Sequence, residues 1–451
     1  MRQLFKNKHI LAIFTQGIGA VLGFSSFLLL VRVLDKDGFG TWVLYITAAT
    51  FLDMLRTGLV RPALIRFLAD PEGQDNQEII GAGWVLSGGI TAALALIVML
   101  TGMIFDLLAF AADLSLFFVW WPLLAVSCLP LQFAIWNQQA EQRFDRILAL
   151  RVVVNGTFAL ALLLAFLEVI SLGLVEIVQV HIASNVLASL LALVTSWAPL
   201  RAIRQATRKA CRTLFEFGRY SVGTLLGATL LRSSDTFILG AVLGPAAVAL
   251  YSVPQKLMEA LEIPLRGLAA TAYPTMSRHC LRGDLPAMQR FLTRSSGALT
   301  IAFAPVVIAG CIWAEELVIL LGGEEYAGAA TMLRIFLLYS MLLPLDRYLG
   351  LALDSLNKPQ RNTVKVIVMV CVNVIGDFAA LYFFGTPESV AVVTIITTLW
   401  GIGLGRRQLR EDAELNFQDL ARDGWQQLMA SSGYLFNMIY TRGGASRTDI
   451  A

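Results

Sequence analysis

Long apolar runs separated by short polar or basic stretches dominate this chain. Twelve such segments fall near 10–34, 41–67, 79–104, 115–136, 147–168, 172–197, 219–243, 246–274, 295–320, 330–352, 364–384 and 388–405. A membrane-spanning helix needs roughly 20 apolar residues, and the segments meet that length or come close to it. The second and eighth run longer and carry charges. The pattern predicts an all-α polytopic membrane protein with twelve transmembrane helices.

Composition excludes the soluble alternatives. Of 451 residues, 57% are hydrophobic and 15% charged, against about 25% charged in ordinary soluble domains. Mean hydropathy is +0.68. Disorder, collagen and secreted disulfide scaffolds are excluded on the same grounds. The first residues resemble the basic start of a signal peptide, but the apolar run that follows is too long for one and reads as a retained first span. Cys128, Cys211, Cys280, Cys311 and Cys371 are scattered, without a CxxC pair, and read as small hydrophobes.

The net charge is only +3, and its distribution says more. With the N-terminus in the cytoplasm, Arg2, Lys6 and Lys8 lie inside, as do Arg201, Arg204, Arg208, Lys209, Arg212 and Arg219 of segment 198–219. Arg278, Arg282, Arg290, Lys358, Arg361, Arg406, Arg407 and Arg410 fall on the same side. The opposite loops keep Lys36, with Arg32 and Arg334 near outer span ends. Lysine and arginine favour the cytoplasmic side, so both termini are expected there.

The halves align at a constant offset. Ser25 matches Ser234, Leu34 matches Leu243, and Gly58-Leu59 matches Gly267-Leu268. Before each glycine stands an acid and then a base, Asp53 and Arg56 in the first half and Glu262 and Arg266 in the second, with the arginine one place out of register. Two six-helix bundles related by a parallel pseudo-twofold along the membrane normal are expected. The expected division is 1–200 for the N-terminal lobe, 201–218 for a basic cytoplasmic linker and 219–405 for the C-terminal lobe. A cytoplasmic tail, 406–451, follows, whose Leu415, Leu420, Trp425, Leu428 and Met429 suit either an interfacial helix or a frayed end.

Charges inside spans are the candidate chemistry. One at mid-membrane costs at least ~2.5–3.5 kcal/mol by insertion scales and needs a wet cavity or a partner. On the eighth segment Lys256, Glu259, Glu262 and Arg266 fall within an arc of roughly 120° at helical spacing, and on the seventh Arg232 and Asp235 share a side. One reading makes these charges ion pairs that hold helices together. The other makes them the lining of a net-cationic cleft, with Arg56, Arg61, Arg66, Arg232, Lys256 and Arg266 outnumbering Asp53, Asp235, Glu259 and Glu262. Arginine suits phosphate because its planar fork donates two parallel hydrogen bonds. Asp346, Arg347, Asp354 and Asp377 either extend that polar path or end it, while His181 lacks companions and reads as packing. The sequence has no phosphate loop, no HExxH, no GxSxG and no metal-ligand cluster. No enzymatic activity, metal, cofactor or nucleic-acid partner is expected.

The stretch LLLVRVLDKDGFGTWVLYITAATFLDMLRTGLVRPALIRFLA, with its turn Asp35–Gly40, Trp42, Gly58 and Arg66, resembles the N-terminal signature of Wzx-like polysaccharide-biosynthesis flippases. These belong to the multidrug/oligosaccharidyl-lipid/polysaccharide exporter superfamily. RSSDTFILGAVLGPAAVALYSVPQKL, from Arg232 to Leu257, resembles the family's seventh and eighth spans. The resemblance implies two six-helix bundles around a cavity lined by spans one, two, seven and eight. It also implies a polyprenyl diphosphate oligosaccharide as substrate, flipped across a bacterial cytoplasmic membrane, with membrane lipids and other polysaccharide-assembly membrane proteins as partners. Few titratable residues can be assigned to spans eleven and twelve.

Within that frame the expected substrate-binding residues are Arg56, Arg61, Arg66, Arg232, Lys256 and Arg266. Asp53, Asp235, Glu259 and Glu262 are the candidates for ion coupling or gating. A cation-coupled multidrug exporter of the same superfamily is the nearest alternative, and its organic cations would prefer an acidic lining. A membrane glycosyl-transfer enzyme is the alternative of a different class; it would need a sizeable outer loop or a catalytic constellation.

Overall fold

The computed structural model describes residues 8–68, 76–107, 114–412 and 419–429. Every regular element among them is helical, as expected where backbone groups in hydrocarbon must pair within their own segment. In the first 250 residues these are α1 (Lys8–Val33), α2 (Lys36–Leu68), α3 (Asn76–Leu107), α4 (Ser115–Ser127), α5 (Leu129–Ala140), α6 (Phe144–Phe166), α7 (Leu174–Val194) and α8 (Arg208–Leu243). There follow α9 (Pro245–Leu281), α10 (Leu285–Ile312), α11 (Ala314–Gly322), α12 (Ala330–Ser340), α13 (Leu343–Ser355), α14 (Pro359–Phe384) and α15 (Pro387–Leu409). A last helix, α16, covers 419–429. Short 3₁₀ turns occupy Leu200–Gln205 and Glu324–Ala329.

Among the described residues ten stretches are long and apolar enough to cross a membrane, and the pair α4–α5, bent by 45°, makes an eleventh if taken as one span. The protein is a multi-pass membrane protein, but twelve spans are not counted by this measure. The missing one is the predicted segment 246–274, which lies on α9. That helix is 37 residues long, but three internal prolines, Pro254, Pro264 and Pro274, and the charges from Lys256 to Arg266 leave it no sufficiently apolar stretch. The predicted segments 295–320 and 330–352 are each two helices, broken at Trp313 and at Met341-Leu342.

By internal contacts the chain divides into two compact units, Met1–Leu250 and Tyr251–Ala451. In the first, α1 packs on α6, and α2 packs along α8, which the sequence assigned to the segment 219–405. Glycines make the α2–α8 seam possible. Gly218 of α8 lies against the Leu59 carbonyl of α2, so close that a β-carbon there would collide with backbone, and Gly40 of α2 lies equally close to the carbonyl of Pro245, the first residue of α9. A β-carbon on Gly58 would stand 3.2 Å from Val222 Cα. Small residues let membrane helices approach backbone to backbone, where lipid supplies no hydrophobic drive. Gly267, the counterpart of Gly58 in the repeat, faces open space instead.

Aromatic and aliphatic side chains fill the core of this unit, with Leu64, Trp84, Phe133, Trp136 and Leu150 at its centre. Trp84 and Phe133 stack with centroids 4.2 Å apart. His181 is packed edge-on against Trp42 (5.5 Å) and Phe158 (5.2 Å), which suits the packing role. Cys128 is the buried cysteine of the five; Cys371 is exposed.

In the second unit α14 and α15 lie together, with α12 and α13 against α15. The tail contributes to it. Gly424 of α16 meets the backbone of α10 at Gly297, and the Thr293 hydroxyl donates to Asp423 Oδ2 at 2.7 Å. Trp425 and Met429 of α16 are more than half exposed. Leu415 and the last ten residues, named in the tail prediction, lie outside the described residues.

Candidate transport site

Arg56 is the most enclosed charge of the first unit, 1% exposed on α2. Its Nη1 donates to Thr91 Oγ1 of α3 at 2.9 Å and to the Ala125 carbonyl of α4 at 3.1 Å. Its Nη2 donates to Asp53 Oδ1 at 2.8 Å, Gln132 Oε1 at 2.8 Å and Cys128 Sγ at 3.3 Å. Gln132 Nε2 in turn donates to Asp53 Oδ2 at 2.5 Å. Asp53 keeps 27% of its side chain exposed. The cluster therefore joins α2, α3, α4 and α5 around one guanidinium.

The cluster sits on the break in the α4–α5 span. Pro130 opens α5 and has no N–H to continue the ladder. Beside it the Ser189 hydroxyl of α7 inserts, accepting from the Leu131 N–H at 3.2 Å and donating to the Ser127 carbonyl at 2.6 Å. Those two backbone groups would have bonded each other in an unbroken helix. A side chain inserted into the ladder is an ordinary cause of a helix kink.

The other predicted cations of this unit are open to their surroundings. Arg61 is exposed, with Nε and Nη2 donating to Gln139 Oε1 at 3.2 and 3.0 Å. Arg66 is exposed and lies 4.7 Å over the Phe217 ring. Arg232 on α8 is exposed, whereas Asp235, one turn on, is 5% exposed and has the Ser234 hydroxyl 3.4 Å from its Oδ1.

On α9 the four charges form two pairs along the helix. Lys256 Nζ lies 2.8 Å from Glu259 Oε2, and Arg266 Nη2 lies 2.7 Å from Glu262 Oε2. These side chains are 24–49% exposed. Asp53–Arg56, Lys256–Glu259 and Glu262–Arg266 thus each form an ion pair along one helix.

The second unit holds charges that the sequence did not rank. Lys365, 2% exposed on α14, donates to Asp346 Oδ1 of α13 at 2.6 Å. About two turns further along α14, Asn373 Nδ2 donates to Asp377 Oδ2 at 3.0 Å, and Asp377 is fully buried. Lys365 and Asp377 are the buried charges of α14. Nothing in the sequence around Lys365 singles it out, and Asp346 of α13 is the partner toward which it turns. Among the described residues no group of three or more His, Cys, Asp or Glu could hold a metal ion.

Comparison with known proteins follows this geometry. The flippase that the curated sequences match is a probable low-salt glycan biosynthesis flippase, Agl15, of Haloferax volcanii, 21% identical over 223 residues. That alignment covers 49% of this chain, which spans about half of the relative's length, 47%. Among solved structures, the lipid II flippase MurJ in an inward closed conformation superposes with a TM-score of 0.71 at 10% identity, over 93% of this chain and 91% of that one. An inward-facing multidrug-resistance MATE transporter of the MOP superfamily superposes with 0.69 at 14% identity, over 89% and 98%. At such identities the likeness is one of fold. The sequence match to a family is broader, because the model described as polysaccharide biosynthesis protein covers residues 5–279, more than half of the chain. The chain belongs to the polysaccharide biosynthesis protein family, whose resemblance the residues around Asp35–Gly40 already carried.

Proposed function

We propose that this protein is a transporter, not an enzyme, that flips a lipid-linked oligosaccharide carried on a polyprenyl diphosphate across the cytoplasmic membrane. Both termini face the cytoplasm, and two lobes, 1–200 and 219–405, related by a parallel pseudo-twofold, alternate access to the substrate. The observation that carries this reading is membership of the polysaccharide biosynthesis family. The name of the Haloferax volcanii relative, a glycan biosynthesis flippase, supports the substrate class.

The exposure of the cations divides their roles. Arg61, Arg66, Arg232, Lys256 and Arg266 present charge to their surroundings and are assigned to the diphosphate or to acidic sugars. Arg56 is engaged on both Nη atoms and acts by holding α4 and α5 in place. Asp53, Asp235, Glu259 and Glu262 remain the gating candidates, since a residue that biases two states must pair differently in each.

The test is flipping of a fluorescent lipid-linked oligosaccharide in reconstituted vesicles. Arg232→Ala and Arg266→Ala are each expected to slow it by about tenfold or more, the worth of one charge-assisted hydrogen bond, at normal membrane abundance. Arg232→Lys restores little if the contact is bidentate. Wild-type rates in both alanine variants would return these arginines to helix packing.

A further inference from the structure

The segment between α7 and α8 is pinned to the first unit and turns its charges outward. Ala202 in the Leu200–Gln205 turn is buried against Gly81 of α3, where a β-carbon would collide with the Ala202 carbonyl. Thr207 Oγ1 donates to Glu78 Oε2 of α3 at 3.3 Å and caps α8 by accepting from the Ala210 N–H at 3.2 Å. On the other side the Trp197 carbonyl accepts from Asn137 and Gln138 of α5, both at 3.4 Å, and Arg146 lies 5.6 Å over the Trp197 ring. Ala198, Ala202, Ala210 and Leu214 belong to the same core as Ile79, Trp84 and Trp136. This is a fixed platform and not a loose linker.

Its outer face alternates cations with aliphatic side chains. Arg201, Arg204, Arg208 and Lys209 are exposed, and among the described residues none of the four has an ion-pair partner. Leu200, just before the first of them, and Ile203, between the first two, are 46% and 41% exposed. The acids nearby are already engaged: Glu216 by Arg212 at 2.7 Å, Glu141 by Arg146 at 3.6 Å and Asp145 by Arg143 at 2.9 Å. The Arg212 guanidinium holds the Glu216 carboxyl below the usual carboxylate range, so that pair contributes no net charge. The platform follows six residues after the end of α7, at the depth of the first turns of α3, so it stands at the edge of the hydrocarbon.

We propose that this platform binds the phosphates of anionic phospholipids in the adjoining leaflet, with Leu200 and Ile203 dipping into the acyl boundary and the four cations taking the headgroups. Unpaired cations beside exposed aliphatics complement a negatively charged lipid surface, where each lysine or arginine strengthens binding about fivefold, and amphipathic segments insert their apolar side just beneath it. The binding is separate from the transported substrate and goes beyond the transport reading.

The experiment is native mass spectrometry of the purified full-length protein with phosphatidylglycerol and phosphatidylcholine. The wild type is expected to retain phosphatidylglycerol preferentially, and neutralising Arg201, Arg204, Arg208 and Lys209 to glutamine should erase that preference, by about fivefold per residue. Leu200→Ser with Ile203→Ser weakens retention of both lipids alike. Arg212→Gln combined with Glu216→Gln, which removes a pair of opposite charges and leaves the net charge unchanged, leaves the preference intact and serves as the folding control. Equal retention of the two lipids by the wild type, or an undiminished preference in the four-glutamine variant, overturns the proposal. So does loss of the preference on adding millimolar inorganic pyrophosphate, which would assign the cations to a diphosphate. Flipping assayed in phosphatidylcholine vesicles reports on the transport reading independently.

Discussion

On α2 the Arg56 guanidinium is enclosed, and its partners come from α3, α4, α5 and its own helix. On α9 Arg266 is half exposed and bonds Glu262 one turn away on the same helix. In the sequence each is an acid and a base followed by a Gly-Leu pair. Surroundings then give them different weights. A buried charge pair is costly to form but far more costly to break, because removing one partner strands the other. An exposed pair along a helix is worth between zero and about 1 kcal/mol. The first arrangement fixes structure, and the second is available for exchange of partners.

The largest effect is expected at Arg56. Arg56→Ala leaves Asp53 and Gln132 facing each other without the cation and removes the donor at Ala125, so a loss of about 3–5 kcal/mol is expected. A fall in the thermal midpoint of the detergent-solubilised protein, with poor recovery from membranes, would show it. Arg56→Lys keeps the charge without the fork and should fall between. An Arg56→Ala protein of wild-type stability that no longer flips substrate would instead make Arg56 a binding residue and erase the contrast.

Next come two glycines, Gly218 on α8 and Gly267 on α9. Gly218→Ala forces a β-carbon into the Leu59 carbonyl, and overpacking of this kind typically costs about 1–3 kcal/mol. Gly267→Ala, in open space, should be neutral or slightly stabilising through helix propensity. Equal melting temperatures for the two variants would remove the distinction between the helices. The smallest effect belongs to the α9 pairs. Glu262→Gln should change stability by less than about 1 kcal/mol, so any loss of flipping it causes is a functional one. A large drop in its melting temperature would show that α9 depends on its charges as α2 does.

The spans were legible because about 20 apolar residues in a row have few other uses in a chain. The family resemblance was legible too, since the turn at Asp35–Gly40 is local. The breaks were not. Hydropathy does not register that Ser189 enters the α4–α5 ladder, because that hydroxyl comes from a helix 58 residues away from Leu131. Nor could burial of Arg56 be seen: Thr91 and Gln132, which satisfy it, lie 35 and 76 residues along the chain. Local spacing identified Asp53 as its neighbour and left the rest to tertiary structure. Lys365 shows the same limit, a cation that local sequence does not single out and whose partner Asp346 comes from α13.

The glycine seam between α2 and α8 also has a consequence for biosynthesis. Its contacts, Gly58 on Val222 and Gly218 on Leu59, and the neighbouring one of Gly40 on Pro245 all lie within Met1–Leu250. At roughly 5–20 residues per second, the ribosome needs on the order of 10–40 s to deliver the remaining length. The first unit can close its backbone-to-backbone contacts during that interval. A nascent chain halted once α8 and the start of α9 have left the translocon would then already resist protease at α2 and α8.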